Sequence, residues 1–153
     1  MKFILSACAT ALICTAAHAD PTLIGKWSSS RELTMAFARD RAKLEDKTLR
    51  LLDQMMGRMT VTFTTTRVAS HMPDWQSEDI EGKKSNFVGI NEVSPYRLLG
   101  SNDTQVVIAS IEPVTRRRVI ALYNFEDENT MWVYLGGPTF PQMNIREYFV
   151  RVK

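Results

Sequence analysis

The chain has 153 residues, which is enough for one hydrophobic core and too few for two ordinary domains. Its 19 lysine and arginine residues nearly balance its 17 aspartate and glutamate residues. This charge balance argues against a nucleic acid or an anionic membrane surface as the partner.

The first 19 residues have the features of a secretory signal peptide. Lys2 is followed by an apolar stretch, and Ala17-His18-Ala19 supplies the small residues that signal peptidases accept. The apolar run 3–17 is shorter than the ~20 residues that a membrane-spanning helix needs. We therefore expect cleavage after Ala19, export to the periplasm or the medium, and one mature domain at residues 20–153.

Both cysteines, Cys8 and Cys14, lie inside this signal. The mature domain is therefore expected to have no disulfide and no thiolate ligand, and its core must stabilise it. Leu5-Ser6-Ala7-Cys8 resembles the lipobox of bacterial lipoproteins, which would make Cys8 a lipidation site. Only residues 1–7 precede that cysteine, and this short length favours cleavage after Ala19.

The mature chain is predicted to begin with a strand and continue with helix. Residues Thr22–Ser30 alternate at strand spacing, and Ser30 is a suitable N-cap for a following helix. Gly57 then ends the helical pattern. One apolar stripe is predicted for the helix or helix pair: Leu33, Phe37, Leu44, Leu51 and Met55.

From Met59 onward the sequence predicts strands. Met59, Val61 and Phe63 alternate with threonines, which places these three side chains towards a core. The later strands are separated by turn residues: Trp75–Ile80, Asn86–Glu92, Tyr96–Gly100, Gln105–Ile111, Arg117–Phe125, Met131–Leu135 and Ile145–Val152. Such regular spacing predicts an antiparallel meander, a small up-and-down β-barrel with a helical segment between its first two strands.

Gly25-Lys26-Trp27 on the first strand, the meander, and an arginine on the last strand resemble the lipocalin and fatty-acid-binding (calycin) group of barrels. The resemblance implies that Trp27, with Gly25 beside it, plugs the closed end of a barrel. It also implies that a late arginine, Arg146 or Arg151, packs over the ring; of the two we select Arg151 for the plug.

Arg146-Glu147-Tyr148 has the arginine-x-tyrosine spacing that holds a carboxylate in the fatty-acid-binding branch. On a strand both side chains point to one side. Inside a barrel, Arg146 and Tyr148 could then bind an anionic head group together. We therefore expect these two residues to be the polar anchors of a ligand.

No catalytic set, cofactor motif or metal site is predicted. His71 is the only histidine of the mature chain, and no nucleophile motif accompanies it. A copper site made from thioethers and imidazole is an open alternative. Its ligands would come from Met55, Met56, Met59, His71 and Met72. Because Met55 and Met59 also fit the apolar patterns, core packing is the favoured interpretation.

The sequence predicts a binding protein and no enzyme. The first hypothesis is an exported, lipocalin-like carrier of a small apolar or amphiphilic ligand. The alternative is a factor of the bacterial envelope that binds a protein partner, as an inhibitor or a toxin-immunity protein. The predicted partner surface is the helix face with the loops from Ser70 to Lys84.

Overall fold

The computed structural model describes residues 22–79, 81–112, 115–135 and 144–153. The predicted signal peptide and its cleavage site lie outside the described residues. The elements in chain order are β1 (Gly25–Ser29), α1 (Arg31–Arg41), α2 (Asp46–Met55), β2 (Thr60–Phe63), β3 (Arg67–Met72), β4 (Trp75–Glu78), β5 (Lys84–Phe87), β6 (Ile90–Pro95), β7 (Arg97–Asn102), β8 (Gln105–Ile111), β9 (Arg118–Asp127), β10 (Thr130–Tyr134) and β11 (Arg146–Arg151).

Nine strands form one antiparallel sheet in the order β6-β3-β2-β1-β11-β10-β9-β8-β7. The sheet curls into a nearly closed barrel, and its two edge strands, β6 and β7, are joined by Tyr96 alone. The Tyr96 N–H donates to the Thr66 carbonyl at 3.0 Å, and the Tyr96 hydroxyl donates to the Thr64 carbonyl at 2.6 Å. These bonds fix the corner, and the predicted antiparallel barrel with helices between its first two strands is confirmed.

The helical segment is a pair of helices that connects the end of β1 to the start of β2. Ser30 caps α1, since its hydroxyl oxygen accepts from the Leu33 N–H at 3.3 Å. After α2, Gly57 adopts φ +83°, a left-handed conformation that glycine tolerates. Both boundary predictions are confirmed.

The predicted apolar stripe of the helices is confirmed only in part: Phe37, Leu44 and Met55 are partly buried. Leu33 and Leu51 are exposed at 37% and 43%, whereas Met35 and Leu52 are buried. The predicted stripe continues through residues 42–45, which are not helical. Because α2 starts again with its own phase, spacing counted from α1 cannot identify its buried face.

The barrel core is apolar and dominated by aromatic side chains. Trp27 is fully buried and meets Phe125 edge to face, with 5.9 Å between the ring centroids. As predicted, Val61 and Phe63 are buried, and Met59 packs against them partly buried. The buried members of the core are Leu23, Trp27, Val61, Phe63, Val68, Val106, Ile108, Phe125, Met131 and Phe149.

The strands β4 and β5 form a separate hairpin beside the helices. The Gln54 side chain on α2 bonds both backbone groups of Glu78, at 2.9 Å and 2.8 Å. The predicted strand Asn86–Glu92 is interrupted at Gly89, where a Cβ atom would lie 2.3 Å from the Met72 carbonyl oxygen. In the described part of the chain, no helix is long and apolar enough to cross a membrane.

Candidate functional site

The first and last strands lie side by side at Gly25 and Arg151, and we call this end of the barrel, where Arg151 covers Trp27, the closed end. The Arg151 guanidinium lies over the Trp27 ring, 4.1 Å from its centroid. It also donates to the carbonyls of Ile24 and Thr22, at 2.8 Å and 2.9 Å. Of the two arginines considered for this contact, Arg151 is therefore the one that lies over Trp27.

Gly25 makes room for this arginine. Its φ is +127°, and a Cβ atom at this position would lie 2.7 Å from Arg151 Nη1. The Trp27 Nε1–H donates to the Leu23 carbonyl at 2.8 Å, so the indole is satisfied inside the barrel. The Arg151 guanidinium, the carbonyls that it bonds and the buried Trp27 ring thus lie together at this end.

Arg146 and Tyr148 lie on the outer face of the sheet, not inside the barrel as expected. Phe149, their neighbour on β11, belongs to the core, and strand side chains alternate between faces. The Arg146 guanidinium packs on the ring of Trp132 at 3.8 Å and on the ring of Phe37 from α1 at 4.3 Å. Their position on the outer face removes the expected geometry of an internal carboxylate site.

The two residues instead line an open groove of about 740 Å³ between α1 and the sheet. Asp40 and Glu126 also line this groove, so its charge is mixed and does not favour an anion. Burial raises the pKa of the Tyr148 hydroxyl, and its hydrogen bond to Arg146 partly opposes this. The Arg146–Phe37 contact joins α1 to the barrel wall, which is a structural role.

The buried charge inside the barrel belongs to Glu147, between these two residues in sequence. Its Cα is paired with that of Val133, a residue packed against the core, and the Glu147 side chain is 6% exposed. The Ser29 hydroxyl donates to Glu147 Oε1 at 2.6 Å and accepts from the Gly57 N–H at 3.0 Å. The Ser29 hydroxyl therefore connects the end of β1 to the turn after α2 and to the carboxyl group on β11.

The surroundings of Glu147 disfavour its charged form. Burial raises its pKa to about 7, and the Ser29 hydrogen bond opposes the shift only in part. The same carboxyl group contributes to a raised pKa of Tyr123, for which burial is the larger cause. Among the described residues, no lysine or arginine forms an ion pair with Glu147.

The inner wall near Glu147 is less completely buried than the core around Trp27. Tyr123 is paired with buried Val106, so it points inward, and Ala121 shares its face. Tyr123, Ala121 and Val133 are nevertheless only partly buried. We call this part of the barrel interior, lined by Ser29, Glu147, Val133, Tyr123 and Ala121, the inner mouth. It lies at the end that carries the helix pair.

Aromatic rings form one side of the inner mouth. Phe63 meets Tyr123 edge to face at 5.5 Å and Tyr96 at 5.6 Å between ring centroids. The mouth therefore combines a buried carboxyl group with π-faces and apolar side chains. Small-molecule sites in proteins typically combine apolar walls with a few polar groups in this way.

The methionines considered as copper ligands do not form one cluster. Met56 is buried beneath the helices with Met55 packed against it, Met59 packs against the barrel core, and Met72 lines a pocket of about 380 Å³ beside Trp75. His71 is exposed. Within the described ranges, no group of three histidine, aspartate or glutamate side chains is arranged to hold a metal ion.

Sequence reasoning missed Glu147 although the signal was present. If Arg151 packs on Trp27 inside the barrel, an unbroken strand also turns residues 147 and 149 inward and residues 146 and 148 outward. Comparison with protein families, curated proteins and solved structures found no match to this chain. The case for a function therefore depends on the geometry of the barrel.

Proposed function

We propose that this protein is an exported carrier that binds a small apolar or amphiphilic ligand in the inner mouth of its barrel. The observation that carries the proposal is the contrast between the two ends. Trp27 is fully buried beneath Arg151 at the closed end, whereas Tyr123 and Val133 point inward and are only partly buried. Concave, mainly apolar sites with few polar groups are typical of small-molecule binding.

The inner mouth also has the features that would orient a bound ligand. Apolar side chains of Ala121 and Val133 line it, and Glu147 supplies one polar group at its inner end. The nearby helix pair connects β1 to β2 at the same end, where a ligand would enter. A single chain of this size with one filled and one accessible end resembles ligand-binding barrels in design, including the calycin group suggested by the sequence.

The direct test is to extract the purified protein with organic solvent and to identify any co-purified molecule by mass spectrometry. A matched pair of variants locates the site. Ala121→Phe fills the inner mouth and is expected to reduce ligand occupancy, whereas Ile120→Phe places the same ring on the outer face, where Ile120 is 72% exposed. Equal occupancy in both variants would contradict the proposal.

A second candidate function, the binding of a protein partner, is favoured by the hairpin of β4 and β5. Trp75 and Phe87 stack at 4.3 Å, and Val88 next to them is 87% exposed. The hairpin overlaps the loops that the sequence indicated as a partner surface. Co-purification with the tagged protein, lost in Val88→Asp and retained in Ala121→Phe, would favour this function over ligand binding.

A further inference from the structure

We propose that the polar end of the ligand is a protonated amine, and that Glu147 is its counter-charge in the inner mouth. This inference rests on the proposed function, since it requires a ligand in the barrel. It replaces the anionic head group that the sequence suggested, because the buried ionisable group on this wall is an acid and Arg146 lies outside.

The carboxyl group of Glu147 is held in place by a hydrogen bond, but no described lysine or arginine neutralises its charge. Ser29 is the only described hydrogen-bond partner of its side chain, and that bond goes to Oε1. Segment 136–143, which joins β10 to β11, contains no lysine, arginine or histidine. A buried carboxylate without a counter-charge is unfavourable, and a bound cation would remove most of that cost.

Tyr123 supplies the second part of an amine site. Its ring faces the interior beside Phe63, and its hydroxyl is close enough to Glu147 for the carboxylate charge to disfavour ionisation of the tyrosine. Ammonium groups bind favourably to the faces of aromatic rings, more strongly when water is excluded. A carboxylate next to an aromatic wall is therefore the chemistry that recognises an alkylamine or an aromatic amine.

The apolar wall determines the chemistry of the rest of the ligand. Ala121, Val133 and Met59 pack against the core next to this site and offer no hydrogen-bonding side chains. The ligand is thus an amine with a short apolar body, oriented with its ammonium group towards Glu147. An anionic ligand of the same length would meet a like charge there and should bind more weakly.

The test compares octylamine, octanol and octanoate, which share one chain and differ in head group. Their binding to the purified protein is measured by isothermal titration calorimetry at pH 8, where Glu147 is ionised. We expect octylamine to bind at least about tenfold more tightly than octanol, as is typical of a hydrogen bond to a charged group, and octanoate to bind most weakly.

Glu147→Gln is the decisive variant, and Glu126→Gln, on the outer groove, is its control with the same change of charge. The first is expected to abolish the preference for octylamine over octanol, and the second to keep it. Glu147→Gln removes a buried charge, so loss of folding is not expected; circular dichroism checks this. If it fails to fold, wild type at pH 5.5, where Glu147 is protonated, must bind octylamine about tenfold more weakly than at pH 8.

The possible outcomes separate the two proposals. If none of the three probes binds, the proposed carrier function is overturned together with the amine. If octanol or octanoate binds as tightly as octylamine and Glu147→Gln changes nothing, the carrier function stands and the amine inference is overturned.

Discussion

The Ser29 hydroxyl donates to Glu147 Oε1 at 2.6 Å, and this bond joins the end of β1 to the start of β11 inside the barrel. Ser29 lies opposite Phe149 in the strand register, so it belongs to the inner face. The bond marks the boundary between the filled core around Trp27 and the inner mouth. Stability, pH response and ligand preference should therefore depend on this one pair.

The first prediction concerns the pH dependence of stability. The pKa of Glu147 is raised from 4.5 to about 7 in the folded protein, so between these values the folded state binds more protons than the unfolded state. Its contribution to stability is thus complete below pH 4.5 and is lost as pH rises through about 7. A shift of this size corresponds to about 3 kcal/mol.

Urea denaturation of wild type and Glu147→Gln at a series of pH values measures this contribution. The difference between their unfolding free energies should change by about 3 kcal/mol from pH 4 to pH 8.5, in favour of the variant at high pH. A difference that stays constant across this range would show that Glu147 has the same pKa in both states.

The second prediction is that Ser29→Ala weakens the protein and alters Glu147. The substitution removes the described donor of a buried carboxyl group and the acceptor for the Gly57 N–H, and should cost about 1–3 kcal/mol. Because the Ser29 hydrogen bond lowers the pKa of Glu147, that pKa should rise further. Carbon-detected NMR titration of the glutamate side chains measures the pKa directly.

Ser28→Ala is the control, because Ser28 is on the opposite face of β1, paired with Thr60 and Val150. It should leave both the unfolding free energy and the Glu147 titration close to wild type. If the two alanine variants behave alike, the effect of Ser29→Ala comes from the strand and not from the carboxyl group.

The order of helices and strands could be predicted because each element carries its own local signal. Alternation in β2, the cap at Ser30 and the left-handed stop at Gly57 need no information from distant residues. The buried face of α2 could not be predicted from α1, because the intervening residues 42–45 break the helical phase. Likewise, the hairpin of β4 and β5 depends on the clamp by Gln54, a contact made across the fold.

The residues of β11 that face the barrel interior were limited in their prediction by the alternation of the strand. Two predictions for β11, Arg151 over Trp27 and Arg146 inside the barrel, contradict each other on an unbroken strand, since the residue numbers differ by an odd count. The resemblance suggested both, and only the parity of the strand could choose between them. The structure has Arg151 over Trp27 and Arg146 outside, and Glu147 therefore takes the interior position.

The third prediction concerns Gly25. Gly25→Ala forces a side chain into a left-handed conformation and brings Cβ to within 2.7 Å of Arg151 Nη1. Strain and displacement of the arginine should lower the unfolding free energy by about 1–3 kcal/mol. Gly100→Ala is the control, since no atom lies within 4 Å of its added Cβ. Chemical denaturation followed by tryptophan fluorescence compares them; equal loss in both would exclude a specific role for the Gly25–Arg151 contact.

The last prediction separates the outer groove from the inner mouth. Arg146→Ala removes the cation that packs on Trp132 and Phe37, and should cost about 1–2 kcal/mol by loosening α1 from the sheet. The loss is limited because Arg146 Nε is buried and has no hydrogen-bond partner among the described residues, a cost that the substitution relieves. Hydrogen exchange of the α1 amides should accelerate, while those of β8 stay protected.

Ligand affinity is a second quantity to measure in Arg146→Ala. Because Arg146 faces away from the barrel interior, Arg146→Ala should leave octylamine affinity within about twofold of wild type, whereas Glu147→Gln should not. Arg146→Lys keeps the charge but loses the planar stacking, so it should restore only part of the stability. If Arg146→Ala instead abolished binding and Glu147→Gln had no effect, the ligand would lie in the outer groove beside Phe37, and the anchor would be the arginine.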